Sequence, residues 1–385
     1  MTPTTTPARA FLEAVLNEPD EDAHRLVFAD WLEEHDDPRG EFIRLQCQLE
    51  HLNPDDPRRP ACSARERQLR HAHGREWAGT IARLAGGYFF RRGFVERVRL
   101  DGKSFFTHAP AVFRLAPVRE LELTASPDEL ARLTDHPVLA RLTSLELVFH
   151  GQDSDALAEF FDSPHLAGLT RLKVRSPGTS AAAALASSRH LRRLTTLDLG
   201  GYATGTGIEA LIGARSLTGL SRLCLYSAGL DDEAARLLAA APLLRSLNAL
   251  DLRYNDLGPS GALALASSPF AEQLTTLALG YNRVGDRGLV ALANSPWLPA
   301  LARLYLSQNG LDGRGVKMLA NAPLASNLTH LDLDYNDLSS ESLLGLAASP
   351  RLRRLQTLFV RCGLGMTAAV RQTFLSRFGA GVCKW

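Results

Sequence analysis

The sequence is short of lysine, cysteine and net charge, and each shortage closes off a class of function. Lysine occurs only as Lys103, Lys173, Lys317 and Lys384, so the basic residues are almost all arginine. With 43 basic and 42 acidic side chains the formal charge is +1, which lacks the electrostatic footprint of a nucleic-acid-binding protein. The five cysteines, Cys47, Cys62, Cys224, Cys362 and Cys383, are scattered and odd in number. None forms a C-x-x-C pair, so neither a disulfide framework nor a zinc spacing is present, and free thiols in a reducing compartment are expected. No run approaches the roughly 18 uninterrupted apolar residues of a membrane-spanning helix. The opening MTPTTTPARAFLEAVL has no basic stretch followed by an apolar core, so no secretory leader is legible. A cytoplasmic protein without membrane attachment is expected. The arginine bias and abundant alanine point to a GC-rich, bacterial genome.

Catalytic punctuation is missing too. There is no G-x-S-x-G, no H-E-x-x-H, no phosphate-cradling glycine loop and no cysteine–histidine pair at a family spacing. The acids Glu18, Asp20, Glu21, Asp22, Glu33, Glu34, Asp36, Asp37 and Glu41 crowd one segment but match no calcium loop. Helix caps and solvated faces account for them. The expectation is no enzyme, no cofactor and no metal.

What the chain has instead is a period. Leu247, Leu274, Leu301 and Leu328 stand 27 residues apart, and each opens Leu-x-x-Leu-x-Leu. Alternation over that stretch fits a short strand with one buried face. A turn follows, carrying Asn255, Asn282, Asn309 or Asn336, and then a helical limb that ends near a proline such as Pro296. One strand and one helix cannot bury a core alone, but a stack of them can. Opening positions run Val95, Val118, Leu142, Leu169, Leu194, Leu220, Leu247, Leu274, Leu301, Leu328 and Leu355, giving eleven units. In the earlier units His150, Pro177, Tyr202 and Ala228 replace the turn asparagine. Ala234, Gly261, Gly288, Gly315 and Ser342 share one helical position, where a small residue fits close packing on the sheet.

These units resemble leucine-rich repeats of the ribonuclease-inhibitor type. The resemblance implies an α/β solenoid, a horseshoe with a concave parallel sheet and convex helices. It also implies a structural role for the four asparagines, hydrogen-bonded to turn backbone. A second resemblance lies in residues 11–46. Arg25-Leu26-Val27-Phe28-Ala29-Asp30-Trp31-Leu32-Glu33-Glu34, then Asp37-Pro38-Arg39-Gly40-Glu41-Phe42-Ile43, is similar to the repeat-companion domain found at the front of bacterial repeat proteins. It implies a small helical domain and no activity.

The expected organisation is a disordered tail (1–7), a helical companion domain (8–52) and a Pro-rich connector with a helix through Trp77 and Ile81 and an N-terminal cap (53–94). The repeat array (95–365) and a C-terminal cap (366–385) follow. Strand positions between the inward leucines face the concave side. They include Arg97, Arg99, Glu120, Glu122, Glu146, Arg171, Lys173, Asp198, Arg222, Asp251, Arg253, Arg303, His330, Asp332, Asp334 and Arg361. Opposite charges on successive strands can pair laterally, which explains part of this pattern without a ligand. Tyrosines are more telling. Tyr202, Tyr226, Tyr254, Tyr281, Tyr305 and Tyr335 lie on or just after repeat strands, and Tyr254, Tyr281 and Tyr335 share the place before the turn asparagine. Tyrosine and arginine are enriched in binding hot spots. A non-catalytic protein-binding module follows, a monomer using Tyr226, Arg253, Tyr254, Tyr281, Arg303, Tyr305, Asp332, Asp334 and Tyr335. Two alternatives stay open: a regulator of another enzyme (an inhibitor or a GTPase activator), or a structural, self-assembling protein.

Overall fold

A computed structural model describes residues 6–53, 56–151, 154–175, 180–201, 207–214, 216–361 and 365–385. The chain forms two compact units that divide between Val148 and Phe149.

The first unit opens with helices α1 (Thr6–Asn17), α2 (Asp22–Glu33) and α3 (Arg39–His51). Most of the expected disordered tail, 1–5, lies outside the described residues, and α1 already begins at Thr6. Glu21 caps α2 by accepting from the Ala23 amide. A Cβ on Gly40 would stand 2.6 Å from the Ala29 carbonyl oxygen, so glycine is what lets α3 approach α2. The shared apolar core holds Ala8, Val15, Phe28, Ala29, Leu32, Ile43, Cys47 and Phe94. Helix α4 (Arg59–Ala78) starts inside the stretch read as connector, with Pro60 in its first turn, where a missing N–H is harmless. The helix expected to run through Trp77 and Ile81 is two: Gly79, at φ +53, ends α4, and α5 (Ile81–Leu84) follows.

Strands β1 (Gly87–Arg91) and β2 (Phe94–Asp101) form an antiparallel hairpin. Arg92 and Gly93 both have positive φ, the two-residue turn whose twist matches the strands. Parallel β3 (Glu120–Ala125) pairs with β2, and β4 (Ser144–Phe149) lies beyond it. Helices α6 (Gly102–Leu115) and α7 (Pro127–Leu133) connect them.

A buried ionic knot joins α2 to the hairpin. Arg25 is fully buried and meets the equally buried Glu96 at 2.8 Å. Its guanidinium also donates to the Pro19 and Arg92 carbonyls, while Arg92 reaches Glu96 at 3.1 Å and Asp22 at 3.0 Å. Burial drives the Arg25 guanidinium down and the Glu96 carboxyl up, so their attraction does not fully offset desolvation. The knot therefore acts as a locator: removing either member of the Arg25–Glu96 pair leaves the other a buried charge with less compensation.

In the second unit the repeat strands are β5 (Arg171–Arg175), β6 (Thr196–Asp198), β7 (Arg222–Cys224) and β8 (Ala249–Asp251). They continue as β9 (Thr276–Ala278), β10 (Arg303–Tyr305), β11 (His330–Asp332) and β12 (Thr357–Phe359). Each lies beside its sequence neighbour, parallel and in register along the 27-residue period. The limbs between them are α8 (Ser154–Phe161), α9 (Ser180–Ser187), α10 (Ile208–Ile212), α11 (Asp232–Ala240) and α12 (Pro259–Ala266). Beyond these come α13 (Gly285–Ala293), α14 (Arg314–Asn321) and α15 (Ser340–Ala347). Right-handed strand–helix–strand crossovers are the natural way to build such a sheet.

Two side-chain ladders clamp repeat to repeat. Asn282, 7% exposed, accepts from the Leu257 amide at 3.0 Å and donates to the Leu252 and Leu279 carbonyls at 2.9 and 2.8 Å. Asn255, Asn309 and Asn336 repeat this arrangement. The asparagines are structural, as the resemblance implied, but each also grips the repeat before its own. On the other side of each helix, Ser188 donates to the Phe161 carbonyl at 2.6 Å and Ser268 to the Ala239 carbonyl at 2.5 Å. Ser295 and Ser349 do the same to Ala266 and Ala320. These serines are thus inter-repeat clamps. The small helical position is equally tight: a Cβ on Gly288 would stand 2.8 Å from the Ala262 methyl. His150 and Ala228 are described, whereas Pro177 and Tyr202 lie outside the described residues. At the far end α16 (Ala368–Phe378) stops at Gly379, and the two-residue β13 (Cys383–Lys384) pairs with β12. That strand leaves only a short free edge.

The knot gives a test. Arg25→Met leaves Glu96 buried with Arg92 as its remaining cation, and chemical denaturation at neutral pH is expected to show a loss of about 3 kcal/mol. Burial already lifts the Glu96 carboxyl, so the native state takes up its proton sooner than the unfolded chain does. The penalty is full above the folded pKa and fades as pH falls toward the ordinary carboxylate value. A loss that is the same at neutral and acid pH would contradict this account.

Candidate binding surface

In the second unit the three-residue strands bury their central leucine, with Leu250, Leu277, Leu304 and Leu331 fully enclosed, and turn their flanking residues to the opposite face. Register aligns those flanking residues into rows. One row runs Arg222, Ala249, Thr276, Arg303, His330, Thr357; the next runs Cys224, Asp251, Ala278, Tyr305, Asp332, Phe359. The period carries a third row, Tyr226, Arg253, Gly280, Ser307, Asp334, Arg361, and a fourth at the rim, Ser227, Tyr254, Tyr281, Gln308, Tyr335.

The rows frame a patch of small side chains. Its floor is small: Ala249, Thr276, Ala278 and Gly280, where a Cβ would stand 2.6 Å from the Ser307 hydroxyl. Arg222 and Arg253 border it on one side, Arg303 and Tyr305 on the other, and the tyrosine rim closes one end. Tyr254 and Tyr281 stack at 4.1 Å between centroids with planes 7° apart. Tyr226 meets Tyr254 edge-on at 5.0 Å. A hydrogen bond with Tyr254, which holds the proton on Tyr281, raises the Tyr281 phenol above its ordinary pKa. All three rings are exposed.

Backbone conformation at the rim was not legible in the sequence. Ser227, Tyr254, Tyr281, Gln308 and Tyr335 all have φ between +51° and +58°. The turn thus demands a left-handed residue, a role for which Gly or Asn is the cheap choice. Three of five repeats place tyrosine there instead. Such strain, of order 1–3 kcal/mol per residue, gathers at functional sites.

The structure divides the candidate residues into groups. Tyr226, Tyr254 and Tyr281 form one continuous wall. Tyr335 is not part of it, because Gln308 occupies the rim between; its ring lies under Arg361, whose guanidinium donates to the Tyr335 hydroxyl at 3.3 Å. Tyr305 belongs to the face rather than the rim. Arg253 is held by Asp251 at 2.6 Å, within its own repeat. Asp334 is buried, tied to Arg361 at 3.2 Å and bonded to that residue's amide, so it shapes the surface from beneath. Burial raises the Asp332 carboxyl above its usual range, and its oxygen accepts from the Asp334 amide at 2.9 Å. Arg303 donates to the Thr276 hydroxyl at 2.8 Å, and among the described residues neither Arg222 nor Arg303 meets a carboxylate. Burial holds the Cys224 thiol at about 12, so it carries no ready nucleophile.

The exposed row of the first unit is different. Arg97 reaches Glu122 and Glu146 at 3.1 and 3.2 Å, and Arg99 reaches Glu122 at 2.7 Å. Cross-strand pairing accounts for those charges. In the second unit Lys173–Asp198 at 3.7 Å is a pair of the same kind.

Stacked strand–turn–helix units locked by an asparagine ladder define a leucine-rich repeat solenoid. Residues 244–266, 273–293 and 325–347 match the family model described as Leucine Rich repeat. Among solved structures, a chain from the Rad7 and Elc1 complex of yeast is similar over 99% of this chain and 95% of its own, with a TM-score of 0.54 and 15% identity. That likeness is one of fold. An internalin from Listeria monocytogenes aligns over 68% of this chain and 86% of its own, at 16% identity and a TM-score of 0.37, too low to bear weight. A search of the curated proteins finds no match. Among the described residues no cluster of His, Cys, Asp and Glu could hold a metal, and no helix is long and apolar enough to cross a membrane.

If the tyrosines serve the surface rather than the fold, replacing one should cost little. Tyr281→Asn loses an aromatic stack of about 0.5–1.5 kcal/mol but relieves a comparable left-handed strain. Chemical denaturation is expected to find the variant within about 1 kcal/mol of the parent. A loss of several kcal/mol would make the ring structural.

Proposed function

We propose that this protein is a non-catalytic interaction module that binds a partner protein on the concave sheet face and the tyrosine rim. The observation that carries the reading is the Tyr254–Tyr281 stack, exposed and held on a left-handed turn beside a small-residue floor. Tyrosine offers a large apolar body with a polar tip at low entropic loss, and arginine beside it adds directed donors. The chemistry suits a partner segment that seats an apolar side chain on Ala249, Ala278 and Gly280 and sets carboxylates against Arg222 and Arg303. A surface prearranged by repeat packing limits the ordering lost on binding. The fold neighbour from yeast comes from a complex of two proteins, which is consistent with such use. The helical segment at the amino terminus fits a repeat-companion domain whose motif residues, among them Arg25, Phe28 and Gly40, are taken up in packing. We place the protein in the cytoplasm as a monomer.

Affinity capture from a lysate of the source organism tests this. The parent protein is compared with a Tyr254→Ala, Tyr281→Ala, Tyr335→Ala variant whose circular dichroism matches it. A partner retained by the parent and lost by the variant is expected. A partner captured equally by both would move the binding surface away from the rim.

A further inference from the structure

The return from helix to strand is nearly uniform along the array. Pro137, Pro164, Pro242, Pro269, Pro296, Pro323 and Pro350 each stand five residues before the opening residue of the next strand unit. Three returns break the rule: Phe113 before Val118 in the first unit, and two in succession in the second, where Arg189 and Arg215 take the proline's place. Departure from a repeat's own pattern is where function is to be sought, because packing alone would favour keeping it.

The structure opens at that break. Two adjoining clefts, of about 550 and 380 Å³, share Arg189 and Arg192. Arg193 and His190 line the first; Gly213 and Ser216 line the second. Helix α10, only Ile208–Ile212, is the shortest repeat limb among the described residues of the second unit. Arg189 is pinned by Asp162, whose carboxylate accepts from its guanidinium at 2.5 Å and from its amide at 2.9 Å. That one acid is thereby used. Arg192 donates its Nε to the Arg189 carbonyl at 3.0 Å, which orients the guanidinium and leaves its terminal nitrogens outward. Among the described residues neither Arg192 nor Arg193 meets a carboxylate, and both are exposed. The Ser216 hydroxyl, in a residue 6% exposed, finds no partner among the described residues. The orphaned hydroxyl lines the second cleft; the first, with two uncompensated arginines and an imidazole, is short of an anion.

We infer that this cleft binds a phosphoryl group. Arg192 and Arg193 supply two charges to match a phosphate dianion, and the planar guanidinium forks fit its oxygens in pairs. Arg189, held rigid by Asp162, fixes the carbonyl that sets Arg192 in place. The site lies at the helix-to-strand returns, away from the turn asparagines and the tyrosine rim, and stands independently of the proposed partner surface.

The array contains its own control. Ser349-Pro350-Arg351-Leu352-Arg353-Arg354-Leu355 repeats the Leu-Arg-Arg-Leu run and the same arginine-to-carbonyl bond, Arg353 Nε to the Pro350 oxygen at 2.8 Å, but keeps its proline. The full-length protein is titrated with inorganic phosphate against chloride at matched ionic strength, reading heat of binding and melting temperature. Saturable binding with a rise in Tm is expected for the parent and for Arg353→Gln/Arg354→Gln. Arg192→Gln/Arg193→Gln, at exposed positions and checked by circular dichroism, should weaken the affinity by about tenfold or more. A second arm uses a phosphoserine peptide and its unphosphorylated twin. Tighter binding of the phosphopeptide than of phosphate assigns the group to a modified partner, and equal binding to a free anion; either supports the site. Phosphate that does no more than chloride, or equal weakening in both double variants, would overturn it.

Discussion

The second unit depends on one interaction: a buried carboxamide that satisfies backbone on both sides of a repeat boundary. Parallel strands three residues long supply few hydrogen bonds of their own, and the chain leaves each one through a turn whose N–H and C=O groups are shut away from water. Those groups must be paired or the turn does not form. Asparagine is suited to this because it presents an acceptor and two donors in one short plane. Asn282 takes an amide from the preceding turn and gives to a carbonyl in each repeat. The turn it closes then holds the residue before it in a left-handed conformation, which sets where the rim side chain stands. Fold and surface are thus linked through a single position.

Much of this was open to sequence reasoning, because a period transmits its logic. Leucine spacing located all the repeat strands, and the common small position at Gly288 announced close packing that the structure measures at 2.8 Å. The asparagines read as structural from their chemistry. What escaped was anything set by three-dimensional register. That Arg97 faces two acids while Arg303 faces none depends on which residues lie opposite across strands. The left-handed rim left no trace in composition, since tyrosine is a residue one would not choose there. Gln308, which separates Tyr335 from the stacked pair, breaks neither the leucine nor the asparagine spacing, so the repeat pattern does not mark it. The break at Gly79 was passed over because helical periodicity resumes two residues later, and one glycine inside a pattern does not announce a positive φ.

The first unit illustrates the opposite use of charge. Its arginines and acids are spent internally, on the Arg25–Glu96 knot and on cross-strand pairs over Glu122. In the second unit, among the described residues, Arg222 and Arg303 beside the small-residue floor and Arg192 and Arg193 at the broken returns meet no carboxylate. In a chain with almost no net charge, uncommitted arginine is the feature that repeat geometry does not explain. Both places suit groups bearing negative charge, and both lie on an array whose neighbouring units stiffen one another.

The central claim is that the asparagine ladder couples neighbouring repeats rather than closing its own turn alone. Hydrogen exchange on an Asn282→Ala variant tests it most directly. The account predicts that the Leu257 amide, one repeat earlier, loses protection along with the turn of residue 282 itself. Global stability should fall by about 2–4 kcal/mol as the orphaned groups go unpaired. Exchange confined to the turn around residue 282, with Leu257 still protected, would contradict the account and leave the repeats held together by their leucines alone.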